Sequence, residues 1–106
     1  MGQEMIDWQR RVAAFARDHD LLHDPATHAL DLVSEVGEVA KEVLLSTDYG
    51  RRAPQPRPEL ADELGDALYS LLALAEVCGV DVGRALVAAL EKYERRLAER
   101  REAGAE

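Results

Sequence analysis

Three breaks divide this chain into four stretches of helical periodicity, and no stretch alternates with the period of a strand. The first break runs through His19-Asp20-Leu21-Leu22-His23 and ends at Asp24-Pro25. An aspartate followed by proline reads as an N-cap and first turn, because proline's missing N–H has no partner there anyway. The second break is Thr47 to Arg57, which holds Gly50, Pro54 and Pro56 and is followed by Pro58. Proline cannot continue a helix, but Pro58-Glu59 can restart one. The third is Gly79-Val80-Asp81, with Gly79 as a C′ residue and Asp81 as the next cap. The expected helices are about Gln3–Asp18, Pro25 to Ser46, Pro58 to just before Gly79, and Asp81 to about Glu102. The tail at 103–106 is expected to fray. The fold class is all-α, a four-helix bundle-like protomer in a single domain spanning 1–106.

Composition narrows the function. Of 106 residues, 21 are acidic and 13 basic, for a net charge of −8. That balance opposes a nucleic-acid polymer or an anionic membrane as partner. The single cysteine, Cys78, excludes an intramolecular disulfide, and a reducing cytoplasmic location is expected. The longest uncharged run, Ala67 to Ala75, falls far short of the ~20 residues of a membrane span. Within that run only Tyr69 and Ser70 are polar. Helix three is therefore expected to be buried all round in its second half, which a small monomer cannot achieve alone. A homodimer or homotetramer is the simplest remedy.

An internal echo carries the chemistry. Asp31 to Leu44 reads DLVSEVGEVAKEVL, and Glu59 to Leu72, 28 residues on, reads ELADELGDALYSLL. Each contains Glu, an aliphatic residue, Gly and a second acid: Glu35 and Glu38, then Glu63 and Asp66. Acids three apart are neighbours on a helix surface and repel one another. Each interior glycine costs about 1 kcal/mol relative to alanine. Close approach of two backbones, or of a ligand, would account for Gly37 and Gly65. If the two helices pack antiparallel, four carboxylates converge and require a cation. All-oxygen ligation suits Mg²⁺, with Mn²⁺ as a substitute. The competing reading is a solvated face, because the apolar arc of helix two (Leu30, Val33, Val36, Ala40, Val43, Leu44) points away from Glu35 and Glu38. A di-iron bundle is disfavoured, since no His follows a Glu by three residues.

Glu35-Val36-Gly37-Glu38 and Glu63-Leu64-Gly65-Asp66 resemble the paired acid motif of the MazG-type nucleotide pyrophosphohydrolases, an all-α superfamily. The likeness extends to His23-Asp24-Pro25 upstream and to Glu91-Lys92-Tyr93-Glu94-Arg95-Arg96 downstream, covering roughly residues 8 to 97. It implies a MazG-type protomer completed by homo-oligomerisation. It implies hydrolysis of a nucleoside triphosphate between its α and β phosphates, giving a monophosphate and pyrophosphate, in nucleotide-pool housekeeping. Glu35, Glu38, Glu63 and Asp66 would hold Mg²⁺, neutralising phosphate oxygens and activating water, with Glu35 or Glu38 as general base. Ser34 stands where many members carry a further Glu, and Tyr93 where one branch carries Asn. A phosphoribosyl-ATP pyrophosphohydrolase is an alternative within the superfamily, and a non-catalytic helical interaction module is the rival outside it.

Other residues are candidates for substrate binding. Lys92 and Arg96 lie one turn apart and are suited to pyrophosphate or to a plain basic face. Arg51, Arg52 and Arg57 form either a phosphate lid or a solvated loop. Trp8 belongs to the stripe Met5, Trp8, Val12, Phe15, so core packing is its first reading, while the resemblance implies stacking on a base as its second. The resemblance implies that His23 lies near the base, and a plain surface turn is the alternative. Tyr69, one turn after Asp66, points into a pocket or an interface. Nothing supports His19 or His28 as ligands.

Overall fold

The computed structural model describes residues 2–55 and 57–105, so Met1, Pro56 and Glu106 lie outside the described residues. It contains four helices: α1 Gly2–Asp18, α2 Pro25–Ser46, α3 Pro58–Val77 and α4 Val82–Ala105. The described residues contain no strand. The last helix continues three residues past the Glu102 expected from sequence, to Ala105.

The helix ends are made as the sequence predicts. Asp24 accepts a hydrogen bond from the Thr27 N–H at 2.8 Å, with Pro25 opening the helix. This bond stabilises the carboxylate, so the Asp24 pKa lies below its ordinary value. Asp81 accepts from the Arg84 N–H at 3.1 Å. At the end of α3, Gly79 sits at φ +70°. Its N–H donates to the Glu76 carbonyl, and the Val80 N–H donates to the Ala75 carbonyl. These two bonds make a Schellman stop, which needs a residue that enters left-handed space without a Cβ penalty.

The α2 and α3 helices pack against each other, and α1 lies across α3 and α4. Glu42, late in α2, meets Arg57 at the start of α3, while Glu35, earlier in α2, meets Glu63 and Asp66. That order makes the pair antiparallel. The buried or half-buried α2 residues are His28, Leu32, Glu35, Val39, Glu42 and Ser46. Their spacing of four and three is that of a helix–helix seam. Two of the six are carboxylates.

The apolar faces are not where the stripes suggest. Leu30, Val33 and Val36 are exposed, at 72%, 69% and 52%. On α1 the buried line is Gln9, Ala13 and Ala16, whereas Trp8 and Phe15 are half-exposed. The expectation of Trp8 as a core residue is therefore corrected: the face turned to the other helices is the small-residue face next to it. In α3, Ser70, Leu72, Ala73 and Ala75 are buried, but Leu71 remains 38% exposed, so burial is not complete all round. Leu72 is the largest apolar side chain in the buried core. The radius of gyration is 17.4 Å, against about 13 Å for a compact chain of about 100 residues.

Gln9 fastens α1 to the α3–α4 corner. Its side-chain amide donates to the Val80 carbonyl at 2.7 Å and to Glu76 Oε2 at 3.1 Å, and its Oε1 accepts from the Val82 N–H at 3.0 Å. Replacing a buried residue that answers two backbone groups leaves those groups unpaired. We expect Gln9→Ala to destabilise the protein by about 2 kcal/mol, read as a lower urea midpoint with an unchanged slope.

Candidate active site

Antiparallel packing brings the two acid units face to face. Glu35 of α2 and Glu63 and Asp66 of α3 each offer a carboxylate oxygen within 4.8 Å of the others. Glu35 and Glu63 are half-buried in the seam and Asp66 is exposed at its edge. Glu38 is exposed and stands outside this group of three, yet its charge acts on Glu63. The Glu63 carboxyl is pushed above its ordinary value of 4.5, first by desolvation and then by Asp66, Glu38, Glu35 and Glu42.

The donor set fits a small divalent cation. Octahedral Mg²⁺ holds oxygens at 2.0–2.1 Å, so opposite ligands lie about 4.2 Å apart. Three oxygens within 4.8 Å approach that spread and need only small side-chain rotations. Carboxylates are the donors that Mg²⁺ and Mn²⁺ prefer, and the exposed side of the cluster leaves room for water and phosphate.

The glycines do not serve to bring two helices together. A Cβ added at Gly37 or Gly65 would meet nothing within 4 Å. Of the two explanations drawn from sequence, close backbone approach is removed and open space for a ligand is left. At Gly65 that space has walls: Met5, Trp8, Val12, Leu68, Tyr69 and Leu72 enclose with it an open apolar cavity of about 280 Å³. Asp66 follows Gly65 in sequence, but no carboxylate lines this cavity. Trp8 lies in the cavity wall, with the Arg11 guanidinium 5.1 Å from its ring centre. Tyr69 meets Phe15 edge-on at 6.1 Å.

The remaining candidates make other contacts. Lys92 lies over the Tyr93 ring at 5.0 Å, and Arg96 is exposed. Among the described residues neither makes an ion pair or hydrogen bond with the acids. His23 is exposed, and its backbone N–H donates to His28 Nε2 at 2.9 Å. His28 is buried by that role, and His19 packs on Phe15 with ring centres 4.7 Å apart. Arg51 pairs within its own turn with Asp48 at 3.8 Å, and Arg52 reaches the Leu45 carbonyl at 3.4 Å. Glu42 went unmarked in the sequence reading. Its position four residues after Glu38 and seven after Glu35, on the same helical face, is the signal that would have found it.

The raised Glu63 pKa has a definite sign. The folded protein holds this proton more tightly than the unfolded chain, so stability from this group falls as pH rises through the window above 4.5. A bound cation reverses the penalty. We expect Glu63→Gln to raise the metal-free melting temperature at neutral pH. The same substitution should abolish the rise that Mg²⁺ or Mn²⁺ produces in the unaltered protein. Thermal unfolding with and without metal reads both effects.

Comparison with known proteins agrees with this geometry. Residues 23–100 match the family model of the MazG nucleotide pyrophosphohydrolase domain. The chain is 40% identical over 96 residues to dCTP pyrophosphatase 1 of Rattus norvegicus, covering 85% of this chain and 56% of that protein. It is 39% identical over 97 residues to dCTP pyrophosphatase 1 of Homo sapiens, with the same coverage. The chain thus spans little more than half the length of these relatives. Its structure resembles that of the Bacillus-conserved MazG protein, a nucleotide pyrophosphohydrolase, with a TM-score of 0.69 and 27% identity over 84% of this chain and 87% of that one. With most of its length matched and its acid units facing one another across α2 and α3, the chain belongs to the MazG nucleotide pyrophosphohydrolase family.

Proposed function

We propose that this protein is a Mg²⁺-dependent nucleoside triphosphate pyrophosphohydrolase, converting (d)NTP and water to (d)NMP and pyrophosphate. The observation that carries this reading is the convergence of Glu35, Glu63 and Asp66 across the α2–α3 seam. The name of the relatives, dCTP pyrophosphatase 1, supports a deoxynucleoside triphosphate and puts dCTP first among those to test.

In this reading Glu35, Glu63 and Asp66 hold the ion, with Glu38 beside them. Bound there, a divalent ion neutralises phosphate oxygens and makes water easier to deprotonate. Glu38 stands outside the group of three, with its carboxylate exposed, and takes the proton as water attacks the α phosphorus. The bond from the α phosphorus to the bridging oxygen breaks, and pyrophosphate leaves in line. Trp8 and Tyr69 receive the base against the apolar wall, which stacks on any base and reads its shape.

Assembly completes it. Exposed Leu30, Val33 and Val36 make an apolar strip on the outer face of α2, and Leu86, Leu90, Tyr93 and Leu97 make another on α4. Strips of this kind in a chain with so small a core support burial against further copies, as a homodimer or homotetramer. No described helix is long and apolar enough to cross a membrane.

We expect Mg²⁺-dependent pyrophosphate release from deoxynucleoside triphosphates. Glu35→Gln and Asp66→Asn should each lower it by at least about 100-fold. A coupled assay for pyrophosphate, run with Mg²⁺ and with chelator, measures both. Light scattering should give a mass of two or four chains.

A further inference from the structure

Arg57 is the N-cap residue of α3 but makes no side-chain cap bond. Its Nε instead donates to Glu42 Oε2 of α2 at 2.7 Å. The Glu42 side chain is only 12% exposed, and that of Arg57 is 37% exposed. A carboxylate buried this far needs a partner, and Arg57 is the one described here. The arrangement differs from that of the other two loop arginines. Arg51 is 76% exposed and pairs within its own turn, and Arg52 touches a single carbonyl at 3.4 Å. Of the three, Arg57 is the one whose side chain is tied to a carboxylate of α2.

That tie sets where its charge lies. Glu42 is on the seam face of α2, one turn beyond Glu38 and about 10.5 Å along the axis from Glu35. Arg57 itself is about 9 Å along the α3 axis from Glu63. The guanidinium therefore stands at one end of a row of carboxylates. That bond uses Nε, and among the described residues the two terminal nitrogens make no hydrogen bond. A guanidinium fixed through one edge, with further donors unspent, is suited to an anion of phosphate geometry. The row beside it is strongly negative, and a triphosphate adds to that charge, so a fixed cation is needed where the substrate extends past the metal ligands.

We propose that Arg57 is a substrate-binding residue that contacts the outer phosphates, the half of the substrate that leaves as pyrophosphate, and that Glu42 is the residue that positions it. This rests on the pyrophosphohydrolase reading above. It separates two roles that a loop arginine can have. A strap that merely holds α2 to α3 has no preference among ligands, whereas a phosphate contact distinguishes pyrophosphate from a nucleoside monophosphate.

The test is product inhibition of the Mg²⁺-dependent reaction in the unaltered protein, Arg57→Lys and Arg57→Ala. Inorganic pyrophosphate and the nucleoside monophosphate serve as separate inhibitors. We expect Arg57→Ala to raise the pyrophosphate concentration for half-inhibition, and the KM for triphosphate, at least tenfold. Arg57→Lys, which keeps the charge but not the fork, should fall between. Inhibition by the monophosphate should be unchanged in both. If Arg57→Ala does not fold, the lysine variant alone must show the selective loss. Unchanged pyrophosphate inhibition, or equal weakening toward both products, overturns the proposal while leaving the reaction intact. Absence of pyrophosphate release from every triphosphate in the unaltered protein overturns the underlying reading, and this one with it.

Discussion

The α2–α3 seam places carboxylates where a helix pair normally places leucine and valine. Glu35 and Glu42 take seam positions on α2, and Glu63 faces them from α3. Two helices with acids between them repel, and the raised Glu63 pKa records that repulsion together with desolvation. The arrangement holds because the rest of the pair compensates. Leu32, Val39 and Leu60 share the seam, and Arg57 neutralises Glu42. A cation between Glu35, Glu63 and Asp66 would turn the largest cost in this part of the fold into its purpose.

The consequence reaches the outside of the molecule. A helix that gives seam positions to carboxylates leaves apolar residues on its outer side, and Leu30, Val33 and Val36 are exposed there. The core left to one chain is Leu72 and a set of alanines, with Gln9 joining α1 to the α3–α4 corner by hydrogen bonds. Small residues let α1 lie close to α3. The same closeness leaves Trp8 at the rim, where it lines the cavity beside Gly65. Site, thin core and exposed apolar strips are thus three results of one choice of seam.

Much of this was legible in the residues. Asp24-Pro25, Pro58, Gly79 and Asp81 mark the helix ends through local hydrogen bonding, which depends on few distant contacts. The duplicated acid units identify the pair of helices and the chemistry. Periodicity misjudges which face turns inward, because it assumes that apolar residues seek the protomer's own core. On α2 the inward face carries Glu35 and Glu42, and on α1 it carries Gln9, Ala13 and Ala16. The glycines were readable as a cost without a cause, but only the coordinates distinguish a crossing of backbones from open space at Gly65. Arg57 could be seen only as one of three loop arginines, since its partner depends on how the two helices register.

The measurement that bears most directly on this account is anomalous diffraction from crystals grown with Mn²⁺. The account predicts a peak bounded by carboxylate oxygens of Glu35, Glu63 and Asp66, with Glu38 adjoining. Crystals saturated with Mn²⁺ that show no peak in the α2–α3 seam, with those carboxylates turned apart into solvent, would contradict it.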